Sequence, residues 1–131
     1  MKGFVDDIED LTEQNTDFQR VLYTGTHLQL GLISLEPGEE IGEQVHSGRE
    51  QFFCVGEGEG EVWIDSNRSK IEDDDAILVP AGARHNIVNP GGKPLRLYTL
   101  CAPPKHRDGT VHRTKADADA SEEPFDGKKT E

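Results

Sequence analysis

Short apolar runs separated by turn-forming residues dominate the chain from Arg20 to about Cys101. Between these runs lie clusters of Gly, Pro, Asn and Asp, which are typical of turns. No segment keeps an apolar period of about 3.6 residues over the length of a helix. About seven or eight short strands joined by turns predict an all-β sandwich or antiparallel barrel. The runs are Val21–Tyr23, Leu28–Leu35, Gln51–Val55, Val62–Ile64, Ala76–Val79, His85–Val88 and Leu95–Cys101.

Both ends of the chain differ from this central segment. Residues 1–19 are acidic and polar, and residues 102–131 contain almost no large apolar side chains. Pro103 and Pro104 end the last apolar run, because proline cannot donate to a β-ladder. We therefore predict an N-terminal extension over residues 1–19, a barrel over residues 20–101, and a C-terminal arm or disordered tail over residues 102–131.

The charge of the chain excludes several classes of partner. The 131 residues have the length of one domain and carry 14 Lys and Arg against 26 Asp and Glu, a net charge of −12. Such acidity argues against binding to nucleic acid or to an anionic membrane surface. No apolar stretch is long enough for a membrane span, and the acidic start does not resemble a secretory signal. We expect a cytoplasmic protein with a small-molecule ligand and two reduced cysteines, Cys54 and Cys101.

Two segments have a more specific spacing of residues. Residues 37–60 read PGEEIGEQVHSGREQFFCVGEGEG, and residues 74–89 read DDAILVPAGARHNIVN. They resemble the two motifs of the cupin family, G-x5-H-x-H-x3,4-E-x6-G and G-x5-P-x-G-x2-H-x3-N. The whole chain resembles small bacterial and archaeal single-domain cupins that are labelled mannose-6-phosphate-isomerase-like. The second motif is matched at Pro80, Gly82, His85 and Asn89.

The resemblance implies a fold and a kind of site. Cupins are small antiparallel β-barrels of the jelly-roll type, with a metal held inside the barrel by three histidines and one glutamate. Transferred residue by residue, these ligand positions fall on two histidines and two glutamines in this chain. The glutamines stand where the family pattern has a histidine and the glutamate. The implied metal ligands are Gln44, His46, Gln51 and His85.

Strand geometry supports part of this assignment and leaves one position open. Gln44 and His46 are two residues apart, so an extended chain directs both side chains to one face. Gln51 and Glu50 lie on opposite faces of the next predicted strand, and apolar residues follow on both faces. Gln51 fits the distance to the glycine of the motif, whereas Glu50 fits the distance from His46. We prefer Gln51 as the inward residue and keep Glu50 as the alternative and as a candidate acid or base.

The implied site would be unusual in its charge. Imidazole nitrogens suit divalent transition metals such as Mn, Fe, Ni or Zn, whereas an amide oxygen is a neutral and weaker ligand than a carboxylate. A metal held by these four side chains would keep its full positive charge. Such a site would favour an anionic substrate that supplies the missing negative oxygens.

Several functions are compatible with the sequence. The first is a metal-binding cupin acting on a small polar or anionic molecule, by sugar-phosphate isomerisation or other metal-dependent chemistry. The second is a non-catalytic binding or sensing cupin with a metal-free polar pocket, in which the histidines and glutamines form a hydrogen-bonded network. The third is a metal-dependent dioxygenase. Whether the protein is an enzyme stays open, and apolar residues on both faces of the strand around Gln51 favour a homodimer.

Overall fold

The computed structural model describes residues 1–121 and 123–131, so residue 122 of the predicted C-terminal extension lies outside the described residues. Nine strands and two short helices are found in the described part of the chain. The elements are α1 (Ile8–Gln14), β1 (Gln19–Thr24), β2 (Gln29–Leu35), β3 (Glu50–Glu57), β4 (Gly60–Ile64), β5 (Asn67–Ile71), β6 (Ala76–Val79), β7 (His85–Val88), β8 (Leu95–Ala102), β9 (Val111–His112) and α2 (Lys115–Ala120).

Two antiparallel sheets enclose the core. The larger has the strand order β6-β3-β8-β2-β1-β9, and the smaller has the order β5-β4-β7. The predicted all-β, antiparallel jelly-roll barrel is confirmed. No helix of the described residues is both long and apolar enough to cross a membrane.

Buried and less buried side chains alternate along the central strands and give the barrel its core. In β3 and β8 every second side chain is buried, as expected for strands with one face on a core. The core is filled by large apolar side chains from both sheets. The most deeply buried of them are Phe53, Leu35, Ile87, Leu95, Leu97, Val55 and Val79.

The outward face of the larger sheet is also apolar along one row. Register places Leu30 opposite Leu100, Leu100 opposite Phe52, and Phe52 opposite Leu78. Neighbouring side chains in such a row touch across the strands and form a continuous stripe. Leu78 at the end of the row is 64% exposed, so this stripe faces solvent in the single chain.

The two ends of the chain lie against the barrel. Thr12 of α1 is buried, and a Cβ added to Gly56 would come within 2.6 Å of its methyl group, so glycine permits the close approach. In the C-terminal segment, β9 pairs with β1, and Ala118 of α2 packs against the core cluster. The Glu131 carboxylate accepts hydrogen bonds from the Tyr23 hydroxyl (2.6 Å) and from backbone N–H groups near the N-terminus. The described residues of the C-terminal segment therefore run back along the barrel.

Candidate functional site

The segment that carries Gln44 and His46 is fixed to the smaller sheet. The backbones of Gln44 and His85 exchange two hydrogen bonds of 2.9 Å each. The carbonyl of His46 accepts a third, of 2.8 Å, from the N–H of Gly82. Gly82 has a φ of +87°, a conformation that glycine adopts at little cost, and this turn brings β7 back beside His46. These contacts bring the two halves of the sequence pattern together.

The structure places the side chain of Gln51 inside the barrel and that of Glu50 outside. Gln51 is 6% exposed and shares the inward face of β3 with Phe53 and Val55. Glu50 is exposed on the other face of the strand. This orientation removes Glu50 from the barrel interior, where an acid or base acting on an enclosed ligand would have to lie.

Hydrogen bonds around Gln51 determine which way its amide points. The Thr99 hydroxyl donates to the backbone carbonyl of Phe52 at 2.9 Å, so it can only accept from Gln51 Nε2, at 3.1 Å. The amide oxygen of Gln51 is consequently turned away from Thr99. It is buried and has no hydrogen-bond partner among the described residues. A buried acceptor without a partner is costly, which makes this oxygen a candidate contact for a bound molecule.

His85 presents a second unpaired acceptor. Its Nδ1 lies 3.1 Å from the carbonyl oxygen of Ala83, which can only accept, so Nδ1 carries the proton. The other nitrogen, Nε2, then has a free lone pair, and it is buried without a partner in the part of the chain that the structure describes. Burial lowers the pKa of His85, which keeps the ring neutral.

The hydrogen bonds of Gln44 involve a lysine that the sequence reasoning did not single out. Lys105 Nζ donates to Gln44 Oε1 at 3.0 Å, and His46 Nε2 lies 3.1 Å from the same oxygen. Because that oxygen only accepts, His46 Nε2 carries a proton. Burial, together with the positive charges of Lys105 and Arg49, lowers the pKa of His46 to about 4. The rings of His46 and His85 are neutral neighbours, with their centroids 5.8 Å apart.

Lys105 is held in place by two side chains, those of Gln29 in β2 and of Arg49 just before β3. The amide oxygen of Gln29, which is 2% exposed, accepts from the backbone N–H of Lys105 at 3.2 Å and from that of His106 at 3.0 Å. Arg49 donates through Nε to the carbonyl of Pro103 at 3.0 Å and through Nη2 to that of Pro104 at 3.3 Å. The ammonium thus extends from a backbone that is fixed on both sides. Burial lowers the pKa of Lys105.

These side chains surround a cavity of about 460 Å³ at the end of the barrel where β3 begins. Its wall includes Gln44, Gln51, Arg49 and Lys105, and residues of the C-terminal segment cover one side. His46 and His85 do not line it; they are linked to it through Gln44, by its side chain and by its backbone. The cavity wall therefore combines two amides and two cationic side chains with two carboxylates from the C-terminal segment, Asp119 and Glu123.

The charges at this cavity are unbalanced. The described residues form five ion pairs, and neither Lys105 nor Arg49 takes part in any of them. Asp119 and Glu123, which also line the cavity, are paired with Lys115 and Arg107 instead. The chain has a net charge of −12, so a cavity with two cations that lack acidic partners among the described residues is an exception to its acidic character.

The donor set fits the metal site of the family only in part. Two imidazoles and two amides are of a suitable chemical type, and His85 Nε2 has a free lone pair. However, Gln44 Oε1 already accepts two hydrogen bonds, and His46 Nε2 carries a proton. Among the described residues, no group of three or more His, Cys, Asp or Glu side chains could hold a metal ion. With an ammonium beside a candidate ligand and no carboxylate, this arrangement does not fit a divalent cation.

A second groove lies at the opposite end of β3. Its volume is about 890 Å³, and it is lined by Glu57, Glu59, Glu72 and Asp73 together with loop glycines. None of the candidate metal ligands lies there, although Gly58, the glycine that ends the first motif, does. Its carboxylates are an ordinary feature of so acidic a chain.

The signal for Lys105 was present in the sequence but could not be interpreted there. Gln51 pairs with Cys101, and Glu50 pairs with Ala102, so the chain leaves β8 beside the start of β3. Residues that follow Ala102 must therefore pass close to the polar end of the barrel. Without this register, Lys105 is one lysine in a polar tail.

The chain is similar to several known proteins in sequence and fold. The chain is 44% identical to the protein YrkC of Bacillus subtilis (strain 168) over 128 residues, which is 93% of this chain and 69% of YrkC. The crystal structure of BH2720 from Bacillus halodurans superposes with a TM-score of 0.90 at 46% identity, covering 92% of this chain and 96% of that one. Part of the mannose-1-phosphate guanylyltransferase of Escherichia coli (strain K12) is 34% identical over 76 residues. This match spans 58% of the chain but only 16% of that enzyme.

A family model described as the cupin domain matches residues 31–101, more than half of the chain. The matched segment begins within β2 and ends within β8, and it includes both motifs. Together with the jelly-roll barrel, these matches show that the chain belongs to the cupin family.

Proposed function

We propose that the protein binds a small hydroxylated anion, such as a sugar phosphate or a hydroxycarboxylate, in the cavity beside Gln44. The observation that carries the proposal is the ammonium of Lys105, which lines the cavity without an acidic partner among the described residues. Lys105 is half-buried, and cations withdrawn from water are normally paired because removing a charge from water is costly. A bound anion would provide that pairing.

The amide oxygen of Gln51 narrows the class of ligand. Gln51 lines the same cavity, and its buried amide oxygen lacks a donor among the described residues. A ligand hydroxyl could donate to it while a phosphate or carboxylate lies near Lys105 and Arg49. This combination of one acceptor and two cations favours a hydroxylated anion over inorganic phosphate or a neutral sugar.

The proposal is a binding function rather than a reaction. Glu50, the candidate acid or base of the sequence, is exposed on the outside of the barrel. His46 and His85 are neutral and directed toward other protein groups through one nitrogen each. The relatives lend support at the level of chemistry, since part of a mannose-1-phosphate guanylyltransferase is similar to this chain.

Calorimetry with three related probes tests the proposal. Titration of metal-free protein with mannose 6-phosphate, inorganic phosphate and mannose should give affinities that fall in this order. Gln51→Leu should bring the affinity for mannose 6-phosphate down toward that for phosphate, by about tenfold, because one hydrogen bond to the ligand is lost. Lys70→Met, a change on the exposed strand β5, is the control and should bind as the wild type does. The proposal fails if neither phosphate nor mannose 6-phosphate binds more tightly than mannose.

A second candidate is metal-dependent chemistry of the isomerase or dioxygenase type, which would require Lys105 to move away from Gln44 because the arrangement described above does not fit a divalent cation. The observation that favours it is the buried lone pair of His85 Nε2, which has no partner in the described part of the chain. A bound divalent metal would supply a Lewis acid or a site for oxygen. Metal analysis of protein purified without chelator and then exposed to Mn, Fe, Ni or Zn tests this candidate. Absence of metal after reloading would exclude it.

A further inference from the structure

Lys105 makes a contact that, in the cupin pattern, is assigned to a metal. Its ammonium lies 3.0 Å from Gln44 Oε1, one of the four ligand atoms implied by the motif spacing. An ammonium is a compact, positively charged group with three donors, so it can bind the lone pairs of oxygen ligands. The residue comes from outside the two motifs, in the segment after β8.

The position of this ammonium is determined by the fold. The buried amide of Gln29 in β2 binds the backbone N–H groups of Lys105 and His106. The same amide donates through Nε2 to the His106 carbonyl at 2.7 Å, so one side chain clamps both peptide units. The guanidinium of Arg49 binds the two carbonyls just before Lys105. Because Gln29 and Arg49 hold the backbone around Lys105, the fold positions this lysine at the site.

The same arrangement works against a metal ion. The oxygen of Gln44 accepts from Lys105 and from His46 Nε2, so its two lone pairs are used. A divalent ion among these ligands would also lie near two positive side chains, Lys105 and Arg49, without a carboxylate in the donor set. Coulomb repulsion of this kind is strong in a partly buried site.

We infer that Lys105 is the built-in cation of this cupin site, supplying to a bound anion the positive charge that a metal supplies in the family pattern. The inference rests on the proposed binding of a hydroxylated anion and names the group that holds its charge. It predicts that a metal ion can take the place of the ammonium once the ammonium has been removed. Metal affinity should rise when Lys105 is neutralised, and it should rise further when its charge is reversed.

The experiment measures nickel binding and mannose 6-phosphate binding on the same proteins. Wild type, Lys105→Met and Lys105→Glu are titrated with Ni²⁺ by calorimetry, and their metal content is measured after dialysis. We expect sub-stoichiometric nickel in the wild type, about tenfold tighter binding in Lys105→Met, and still tighter binding in Lys105→Glu. Lys70→Met and Lys70→Glu make the same charge changes on an exposed strand and should leave nickel binding unchanged.

The anion measurement provides the exchange test. Metal-free Lys105→Met should bind mannose 6-phosphate about tenfold more weakly than the wild type, and one equivalent of Ni²⁺ should restore the affinity. Thermal unfolding by circular dichroism identifies a variant that has lost its fold, and the other variant then carries the test.

The outcomes separate the two proposals. A full equivalent of nickel in the wild type, with no gain in either Lys105 variant, would overturn the inference but leave anion binding intact. No gain in nickel affinity in either variant, whatever the wild type binds, overturns it as well. Absence of mannose 6-phosphate and phosphate binding in the wild type would instead refute the proposed function.

Discussion

The interior of the barrel has an apolar part and a polar part, and their contrast separates stability from function. The apolar part, with Phe53, Leu35 and Leu97, is fully buried and closely packed. The polar part contains Gln51 and His85, which are equally buried but have atoms without hydrogen-bond partners in the described chain. A protein under selection for stability alone would fill such a region with apolar groups. Four expected outcomes test this contrast, from the largest change in unfolding free energy to the smallest.

The largest effect is expected at the apolar part. Phe53→Ala should lower the free energy of unfolding by about 3–5 kcal/mol, because it removes a large buried ring and leaves a cavity between the sheets. Denaturation in urea measures the change. Calorimetry at a temperature where the variant stays folded should show nearly unchanged binding of mannose 6-phosphate. A loss of less than about 1 kcal/mol would mean that this part of the core does not hold the barrel together.

The second effect concerns acid. Burial and nearby positive charge lower the pKa of His46 from 6.5 to about 4. Between pH 6.5 and about 4, His46 is therefore protonated in the unfolded chain but stays neutral in the folded chain. The stabilising contribution of the neutral ring is complete above about pH 6.5 and is lost as the pH falls toward 4, by roughly 2 kcal/mol at pH 5.

The measurement is the difference in unfolding free energy between pH 7 and pH 5 in metal-free buffer. His46→Phe should reduce that difference, since phenylalanine has no titrating group. His27→Phe is a control, because His27 is exposed outside the barrel. An equal pH dependence in wild type and His46→Phe would contradict the expected role of His46.

The third effect lies at the polar part and should have the opposite sign. Gln51→Leu removes an acceptor that has no partner and leaves Thr99 bonded to the Phe52 carbonyl. We expect the free energy of unfolding to stay the same or to rise by about 1 kcal/mol. Urea denaturation checks this, and the same variant should bind mannose 6-phosphate less tightly. A loss of stability as large as that of Phe53→Ala would erase the distinction between the two parts.

The smallest effect on stability is expected on the outside of the barrel. Leu78 is 64% exposed at the end of the apolar row of the larger sheet, so Leu78→Glu should change the unfolding of the monomer by less than about 0.5 kcal/mol. If the homodimer predicted from the sequence forms, we expect this apolar row to be the contact between its subunits. Sedimentation should then show a dimer for the wild type and a monomer for the variant. An unchanged sedimentation coefficient would mean that the row is not a dimer contact.

The strands that sequence reasoning identified are those with a buried face. Each of the seven apolar runs overlaps a strand, because a strand with one face on the core needs apolar residues on that face, as β3 and β8 show. Strand β5, which runs from Asn67 to Ile71 and is mostly exposed, was not predicted. It forms because β4 offers unpaired backbone groups beside it, and a hydrogen-bonded ladder needs no apolar side chain.

The candidate site, too, was predicted from the sequence only in part. Motif spacing alone identified Gln44, His46 and His85, and the structure brings the three together through backbone pairing and hydrogen bonds. Between Glu50 and Gln51 the pattern was ambiguous, since both faces of β3 carry apolar residues. The barrel distinguishes them by placing one face against the core and the other against solvent.

The sequence by itself determined the all-β class, the cupin motifs and the replacement of two family ligands by glutamine. Each of these depends on the types and local spacing of residues, which the chain displays directly. The tertiary structure alone decided that Lys105 enters the site and that its charge has no acidic partner among the described residues. That placement depends on the pairing of β8 with β3 and on the clamp formed by Gln29, contacts between residues far apart in the chain.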